Sequence, residues 1–279
     1  TQPTFFTSSG AALARADERR GAKLVVANNV FAHIDDLHDV VEGVKRLLAD
    51  DGVFVFEVQY LLDLVEKNLV DMVYHEHLDY HAVRPLVSFF RANGLVLFDA
   101  QLVSTHGGSV RCFVGYPGVR SPFASVSHLI AREITASLFT GETYRRLQAR
   151  FEEACREVRE FVTGVSWEAL NGGSREPVWA AYGAPAKATT LLRSLGHEVT
   201  SRLRYVVDDS QWKQGLLTPA SHIEIVAAPR LLAERPDYLL ILAWNYAGPI
   251  VEKVRTIFRE SEHAPPPKMV VPLPRMEIY

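Results

Sequence analysis

The densest group of reactive side chains is the octet Tyr-His-Glu-His-Leu-Asp-Tyr-His at residues 74–81. It contains three of the chain's 10 histidines, together with two carboxylates and two tyrosines. Histidine exchanges protons readily near neutral pH, and a neighbouring carboxylate can orient its ring and raise its basicity. The composition of the octet therefore indicates proton transfer or metal binding.

Three interpretations of the octet remain open at this level. A polar loop could use its histidines only to satisfy backbone groups, although three rings need many partners. A metal site could take His75, His77 and His81 as ligands, but their spacing matches neither His-Glu-x-x-His nor His-x-His-x-Asp-His. Acid–base catalysis is the interpretation we favour. In an extended segment His75 and His77 share a face while Glu76 points away, so one histidine is catalytic and the other structural.

The composition narrows the class of protein. The chain has 279 residues, 48% hydrophobic and 23% charged, which is typical of globular protein and sufficient for two domains. Its formal net charge of −3 argues against nucleic acid or an anionic membrane as the main partner. With only Cys112 and Cys155, it has no disulfide framework or four-cysteine zinc site, which favours the cytoplasm. No apolar run reaches the length of a membrane span.

The first half of the chain alternates strands and helices. The predicted elements are strand 24–30, helix 37–48, strand 53–58, helix 83–93 and strands 95–103 and 109–116. The continuous apolar run 24–30 reads as a buried parallel strand. The short turn at 105–108 makes the last two strands antiparallel, so a mostly parallel sheet should end in a hairpin.

The second half repeats the α/β pattern after a change of character. Residues 122–170 are amphipathic with charges of both signs, which predicts one or two connecting helices with a solvated face. A linker is predicted at 171–174. The elements expected beyond it are strand 178–182, a helix to about 195, strands 204–207 and 238–243, and helix 248–260. We therefore predict domains at 1–121 and 175–279, joined by 122–174.

Polar residues that directly follow these strands are candidate ligand contacts, because open parallel sheets bind ligands beyond the carboxyl ends of their strands. The candidates in the first half are Asn28, Asn29, Val30, His33, Gln59 and Tyr60. Some of these residues could instead only cap the next helix. The turn Gly183-Ala-Pro-Ala-Lys187 could hold an anion at a helix start or be no more than a tight connection. His106-Gly107-Gly108 could likewise be a flexible hairpin turn.

Seven motifs in one order resemble the sugar C-methyltransferases of deoxysugar and antibiotic biosynthesis. They are Ala-Asn-Asn-Val-Phe-Ala-His (27–33), Gly-Val-Phe-Val-Phe-Glu-Val (52–58), Tyr-His-Glu-His-Leu (74–78), Thr-His-Gly-Gly-Ser-Val-Arg (105–111), Tyr-Gly-Ala-Pro-Ala-Lys-Ala (182–188), Val-Asp-Asp-Ser-Gln-Trp-Lys-Gln-Gly (207–215) and Leu-Ala-Trp-Asn-Tyr (242–246). The resemblance covers nearly the whole chain. It implies a partial Rossmann-like class I methyltransferase domain, followed by a smaller Rossmann-like α/β domain.

The resemblance implies an activity and a set of roles. Such enzymes use S-adenosylmethionine to methylate a carbon of a nucleotide-linked, usually dTDP-linked, 4-keto-deoxysugar, and the step needs no metal. By motif match His77 is the base, Tyr74 a donor or proton relay, and Glu76 the residue that orients the substrate or the base. The cofactor pocket would be lined by Asn28, Asn29, Val30 and His33. The substrate would be bound by Gln59, Tyr60, His106, Tyr182, Lys187 and Asn245.

The amino end departs from the family pattern. The family has an N-terminal zinc-binding domain and an opening strand–glycine loop–strand, and neither is visible in this sequence. The first clear strand of the chain matches the fourth of the usual fold. We therefore expect part of the cofactor pocket to lie outside this chain, as in a processed or truncated piece of a longer protein.

Three rival functions follow from the same residues. The first is a nucleotide-sugar oxidoreductase or epimerase that binds a dinucleotide in the second domain, although the turn at 183–187 lacks close glycine spacing. The second is a non-catalytic nucleotide-sugar-binding fragment. The third is a hydrolase that holds a metal with His75, His77 and His81. No motif specifies the methylated ring carbon, the sugar, the stereochemical outcome or the oligomeric state.

Overall fold

The computed structural model describes residues 4–16, 21–165, 176–261 and 265–279, so the predicted linker at 171–174 lies outside the described residues. The chain divides into two compact units. One contains residues 1–67 and 75–144, and the other contains 68–74 and 145–279. The short segment 68–74 thus belongs with the carboxyl-terminal half, which sequence reasoning did not foresee. The domain boundaries at 121 and 174 stay a prediction.

The first unit is built on a four-stranded sheet. Its elements are α1 (Ser8–Ala16), β1 (Ala22–Asn28), a 3-10 helix (Phe31–His33), α2 (Leu37–Leu47), β2 (Leu48–Gln59), α3 (Leu61–Glu66), α4 (Val83–Ala92), β3 (Val96–Val103), a 3-10 turn (Thr105–Gly107), β4 (Ser109–Gly115) and α5 (Ala124–Thr135). The strand order is β1-β2-β4-β3, with β1 and β2 parallel and the other neighbours antiparallel. The predicted hairpin is present, but among the described strands of this sheet only one pairing is parallel.

An aromatic cluster forms the core of the first unit. Phe54 and Phe56 are two residues apart on β2, so they point to the same face of the sheet and pack together. Phe31 contacts Phe56 with ring centroids 4.7 Å apart, and Phe90 of α4 lies 5.5 Å from Phe56. Burial of each such ring stabilises the fold by about 2–3 kcal/mol. This cluster anchors the 3-10 helix Phe31–His33 to β2.

The first strand lies at the edge of the sheet. We predicted a buried strand over 24–30, but Leu24 is 58% exposed and Val26 is 52% exposed. Among the described residues β1 pairs only with β2, and these two side chains share one uncovered face of the strand. An edge strand with an exposed apolar face is an unfavourable surface in a soluble protein.

The second unit carries a mostly parallel six-stranded sheet. Its elements are a 3-10 helix (Val70–Met72), most of α6 (Gly141–Gly164), β5 (Trp179–Tyr182), α7 (Ala186–Leu195), α8 (His197–Thr200), β6 (Leu203–Val207), β7 (Ile225–Val226), α9 (Arg230–Glu234), β8 (Tyr238–Ile241), a 3-10 helix (Trp244–Tyr246), α10 (Ala247–Glu260), β9 (Lys268–Val271) and β10 (Glu277–Ile278). The order is β10-β9-β8-β5-β6-β7, and only β10 is antiparallel to its neighbour. The predicted α/β class is therefore confirmed for both units.

The strand order of the second unit reverses beside β5. From β5 the chain moves outward to β6 and β7, then returns to add β8 and β9 on the other side. The turns that follow β5 and β8 therefore leave the sheet in different directions. Sheets of this type bind ligands at such a switch point.

Candidate functional site

The octet forms an irregular loop before α4. A turn at residues 75–76 replaces the extended conformation that we predicted, so the alternation of faces does not apply. His75 and Glu76 are exposed and His77 is half-buried. Tyr74, also half-buried, belongs to the second unit, whereas the octet from His75 onward belongs to the first.

The 3-10 helix Phe31–His33 holds the middle of the octet. His33 Nδ1 is 2.7 Å from the backbone oxygen of Glu76, and the ring centroids of His33 and His77 are 5.0 Å apart. The backbone N–H of Leu78 donates to the oxygen of Ala32 at 2.9 Å. The structure thus brings together two residues from distant motifs, one predicted for the cofactor pocket and one predicted as the base.

The environment of His81 is that of a residue in the protein core. Its side chain is buried, and its ring lies 5.5 Å from that of Phe31. Burial lowers the pKa of His81 to about 4, so the ring is neutral at physiological pH. Its backbone oxygen accepts a hydrogen bond from Leu61 N–H at 2.9 Å. In the described parts of the chain, no group of three or more metal-ligating side chains is placed to hold an ion.

The predicted cofactor residues Asn28, Asn29 and Val30 lie at the carboxyl end of β1, and all three are exposed. Asn29 has a φ of 52°, in the left-handed region that asparagine tolerates better than most residues. Its backbone N–H donates to the oxygen of Glu57 at 2.9 Å. The turn after β1 is therefore tied to β2 while its side chains remain accessible.

Glu57 connects this turn to the hairpin that contains His106. Its buried carboxylate accepts hydrogen bonds from Thr105 Oγ1 at 2.5 Å and from Arg111 Nη2 at 2.8 Å. Burial alone would raise the pKa of Glu57, but these bonds outweigh it and hold the pKa below its usual value. The half-buried His106 sits in the 3-10 turn with a φ of 53°. Gly108 is required here, because a Cβ would lie 2.1 Å from Asp63 Oδ2.

Gln59 is the last residue of β2 and Tyr60 follows it, and their environments differ. Both side-chain polar atoms of Gln59 are buried, and neither has a hydrogen-bond partner among the described residues. Tyr60 is 0% exposed, and its hydroxyl donates to Glu133 Oε1 at 3.0 Å. Burial, together with the charge of Glu133, raises the pKa of Tyr60. The geometry favours a structural role for Tyr60 and leaves Gln59 available to a ligand.

Glu133 is a buried carboxylate that sequence reasoning missed. It lies on α5, and besides Tyr60 it accepts the backbone N–H groups of Val83 at 2.6 Å and Arg84 at 3.0 Å. These are free donors in the first turn of α4, so a residue 50 positions away caps this helix. The cap fixes the end of the octet, since His81 directly precedes this junction.

In the second unit, Tyr182 is engaged by the protein itself. It is 2% exposed, and its hydroxyl donates to Asp209 Oδ1 at 2.8 Å, an oxygen that also accepts from Lys253 at 2.6 Å. Burial is the main cause that raises the pKa of Tyr182, and the bond to Asp209 adds to it. If this hydroxyl contacts the substrate, as predicted, the substrate must either replace Asp209 as its partner or bind in addition to Asp209.

The turn at 183–187 holds a carboxylate from the chain. Ala184 N–H donates to Asp208 Oδ2 at 2.7 Å, and Ser210 N–H donates to Oδ1 of the same side chain at 2.9 Å. Gly183 has a φ of 93°, and a Cβ there would lie 2.5 Å from Ala243 Cβ. This geometry favours the tight-connection interpretation. The N–H of Ala184 already donates to Asp208, so it is not available to the pyrophosphate of a dinucleotide.

Lys187 is paired inside the second unit. Its side chain is 7% exposed, and Nζ lies 3.1 Å from Asp71 Oδ2 and 4.0 Å from the centre of the Trp244 ring. Trp244 Nε1 donates to the same Asp71 oxygen at 2.5 Å. Burial lowers the pKa of Lys187, against the opposing effect of Asp71. Next to Trp244, the buried Oδ1 of Asn245 has no hydrogen-bond partner among the described residues.

Comparison with known proteins assigns the family. Residues 104–274 match the model of the C-methyltransferase C-terminal domain, which is more than half of the chain. The chain belongs to the C-methyltransferase family. Residues 8–99 also match a methyltransferase domain model. The predicted methyltransferase fold class is thereby confirmed.

A curated relative supports this membership of the C-methyltransferase family. C-methyltransferase NovU from Streptomyces niveus is 33% identical over 260 residues, which are 92% of this chain and 58% of that protein. The chain thus spans a little over half the length of this relative. The structure of an O-methyltransferase family protein from Burkholderia thailandensis aligns with 42% of this chain and 36% of its own, at a TM-score of 0.30 and 15% identity.

Of the two buried carboxylates that sequence reasoning missed in this C-methyltransferase chain, only Asp71 could have been suspected from sequence. Asp71 is a lone acid within the apolar run Leu69-Val-Asp-Met-Val73, and a buried charge needs a partner. Glu133 gives no such local signal, because its partners are backbone groups. In the described ranges, no helix is both long and apolar enough to cross a lipid bilayer.

Proposed function

We propose that the protein transfers a methyl group from S-adenosylmethionine to a carbon of a dTDP-linked 4-keto-deoxysugar, with His77 as the base. The observation that carries the proposal is the pairing of His77 with His33 beside the turn Asn28–Val30. A base must stand next to the methyl donor, and these residues meet at the carboxyl end of a parallel strand pair. Family membership supports the reaction class.

His77 performs the first step in this proposal. The ring nitrogen takes the proton from the carbon beside the ketone, and the C–H electron pair spreads onto the ketone oxygen as an enolate. Tyr74 donates a hydrogen bond to that oxygen or relays the proton, and Glu76 orients the substrate or the base. His33, bonded to the backbone oxygen of Glu76, keeps the peptide around His77 in place.

The cofactor would be held by the first unit. Asn28, Asn29 and Val30 present exposed side chains at the end of β1, and His33 is exposed beside them. Bound S-adenosylmethionine supplies the electrophilic methyl group that the enolate carbon takes up. The uncovered face of β1 supports our expectation that residues beyond this chain complete the pocket, since Leu24 and Val26 are 58% and 52% exposed.

Substrate recognition is assigned to side chains with unmet hydrogen bonds. Gln59 has a buried donor and a buried acceptor without partners in the described parts, and Asn245 has such an acceptor. Buried polar groups are rarely left in this state, so hydroxyl or base groups of a nucleotide sugar are suitable partners. His106 is the further candidate in the first unit. Tyr182 would act through the hydroxyl that it shares with Asp209.

Deuterium exchange tests the role of His77 apart from methyl transfer. In D₂O and without a methyl donor, the protein should exchange the hydrogen beside the ketone of a dTDP-4-keto-6-deoxysugar, as followed by NMR. His77→Asn should slow this exchange by about 10²-fold or more while binding of the sugar nucleotide persists. His75→Asn, which changes the exposed neighbouring histidine, is the matched control and should retain the exchange. Equal rates for His77→Asn and the unaltered protein would remove this residue from the mechanism.

A further inference from the structure

We infer that the switch point of the second unit binds the chain's own segment 68–74, and that Asp71, Lys187 and Trp244 are positioning residues for the octet. The inference deepens the proposed function and rests on it for its catalytic consequence. It gives the carboxyl-terminal α/β unit the task of holding the start of the catalytic segment. It also assigns Lys187 a role other than substrate binding.

The contacts of Asp71 lie at the switch point of the second unit, where sheets of this topology bind their ligands. Lys187 lies in the first turn of α7, which follows β5, and Trp244 lies in the 3-10 helix that follows β8. These two strands are hydrogen-bonded neighbours, and the strand order reverses there. The 3-10 helix Val70–Met72 packs against α7. The chain itself therefore occupies this position.

Asp71 of segment 68–74 is held by the kinds of contacts that would bind an anionic ligand. The carboxylate of Asp71 is 0% exposed. One of its oxygens accepts the indole N–H of Trp244 and forms an ion pair with the ammonium of Lys187 at 3.1 Å, although that ammonium makes no hydrogen bond among the described residues. The ammonium also lies 4.0 Å from the centre of the indole ring, within cation–π range. The amino end of a helix favours an anion through its backbone N–H groups and its dipole, and the ammonium of Lys187 adds positive charge there. Here the anion is a side chain of the same protein.

Apolar contacts hold the rest of the segment. Leu69 is 1% exposed and Met72 is 6% exposed, so the side chains on both sides of Asp71 are buried. Asn68 Nδ2 donates to the backbone oxygen of Arg150 on α6 at 3.5 Å. A segment of seven residues thus has four inward anchors. Buried ion pairs contribute little net stability, but they select one arrangement over others.

The anchored segment leads directly into the octet. Tyr74 is three residues beyond Asp71, and His77 is six residues beyond it. At the far end, the Tyr60 and Glu133 contacts fix the junction after His81. The octet is therefore tethered at both ends, by Asp71 before it and by Glu133 after it. Catalysis is sensitive to displacements of about 1 Å at the reacting groups, so the loss of either tether should reduce turnover.

Hydrogen exchange and steady-state kinetics on the full protein test the inference. Asp71→Asn and Trp244→Phe should each raise amide exchange in residues 68–77 by about 10-fold or more. The same variants, with Lys187→Met, should lower kcat by about 10- to 100-fold while KM for the sugar nucleotide changes by less than about 3-fold. Arg255→Met is the matched control. It removes the ion pair with Glu252 on α10 in the same unit and should alter neither measurement.

Results other than these would contradict the inference or the proposed function, and the two cases can be distinguished. A raised KM with kcat unchanged for Lys187→Met would mean that Lys187 contacts the substrate, as the sequence first suggested. Unchanged exchange over 68–77 in both Asp71→Asn and Trp244→Phe would exclude the tether. If Lys187→Met does not fold, Trp244→Phe decides alone, because it removes one N–H with little loss of volume. If the unaltered protein transfers no methyl group but exchange still rises in the variants, the proposed function fails and the tether stands.

Discussion

At the scale of single residues, the histidines of the site have distinct environments. His77 and His33 form an accessible pair, whereas His81 is buried against Phe31. The sequence could show that histidines were concentrated here, but not which ones face solvent. That depends on the turn at 75–76 and on the distant 3-10 helix Phe31–His33. We predicted a catalytic and a structural histidine among His75 and His77, which stays a prediction, and we predicted His33 for the cofactor pocket, not as a neighbour of His77.

His33 should matter through the peptide that it holds. His33→Phe keeps an aromatic ring beside His77 but removes the 2.7 Å bond to the oxygen of Glu76. We expect about a 10-fold fall in the rate of deuterium exchange beside the ketone, a smaller loss than for His77→Asn. His38→Phe, an exposed histidine that pairs with Asn93, serves as control. A loss as large as that of His77→Asn would mean that His33 itself moves the proton.

His81 should make stability depend on pH. Burial lowers its folded-state pKa to about 4, whereas an unfolded histidine titrates near 6.5. The unfolded state therefore binds the proton first as pH falls, and stability declines from about pH 6.5 down to about pH 4. This group alone should cost about 2 kcal/mol between pH 7 and pH 5. Urea unfolding at both pH values should show this component in the unaltered protein and not in His81→Phe. An identical pH dependence in the two proteins would contradict a buried, neutral His81.

At the scale of elements, the octet depends on connections that are distant in sequence. Glu133 on α5 caps α4 and binds Tyr60 at the end of β2, so one carboxylate joins three elements. A charge with three donors in a buried place is well compensated, and removal of it leaves those donors unpaired. The cap therefore acts on both stability and the placement of the loop before α4.

Glu133→Ala should destabilise the protein by about 3 kcal/mol or more, and Glu133→Gln by less, because the amide oxygen can still accept one bond. Chemical denaturation followed by circular dichroism measures both. Tyr60→Phe should cost about 1 kcal/mol, since two backbone donors remain on Glu133. Arg132→Met, on the same helix and paired with Glu66 at the surface, is expected to change stability by less than about 1 kcal/mol. Equal effects of Glu133→Ala and Arg132→Met would refute the cap.

Gly183, in the turn after β5, can be compared with Gly196, which follows α7 in the same unit. Gly183 and Gly196 have φ values of 93° and 77°, but only a Cβ at Gly183 meets another atom, Ala243 Cβ at 2.5 Å. Gly196→Ala should cost about 1 kcal/mol from backbone conformation alone. Gly183→Ala should cost about 2 kcal/mol more from the clash between the turns. Thermal unfolding of both variants measures the difference, and similar values would show that the turns do not pack closely.

Elements with strong periodicity were predictable and their long-range partners were not. Helix 37–48 is observed at Leu37–Leu47, helix 83–93 at Val83–Ala92 and helix 248–260 at Ala247–Glu260. Strand β2 begins at Leu48, five residues before the predicted start at 53. Short elements such as β7 and α3 have too few residues for a period. The pairing of Asp71 with Lys187 spans 116 residues, and no local pattern encodes it.

At the scale of the whole molecule, the chain consists of two α/β units, and the octet begins in one and continues in the other. The first unit carries the histidine pair and the exposed turn after β1. The second holds the segment that precedes Tyr74. The resemblance to the family predicted both α/β units. Only the structure showed that segment 68–74 lies at the switch point of the second unit.

The uncovered face of β1 bears on the proposal that residues beyond this chain complete the cofactor pocket. Val26→Lys should change the stability of this chain by less than about 0.5 kcal/mol, because the side chain is 52% exposed. In a protein that includes the residues we expect to complete the cofactor pocket, the same change should cost about 2 kcal/mol or more. Leu102→Lys, on an exposed position of β3, should be tolerated equally in both. Equal tolerance of Val26→Lys in both proteins would mean that nothing covers β1.

The most direct test of the proposed reaction is transfer of an isotopically labelled methyl group by a protein that includes the residues proposed to complete the cofactor pocket. The protein is incubated with a dTDP-4-keto-6-deoxysugar and S-adenosylmethionine that carries ¹³C in its methyl group, and the product is examined by NMR. We expect a new carbon–carbon bond between the labelled methyl group and the ring carbon beside the ketone, and its loss in His77→Asn. Label on an oxygen or nitrogen, or no label in a sugar nucleotide that the protein binds together with the methyl donor, would contradict the proposed reaction.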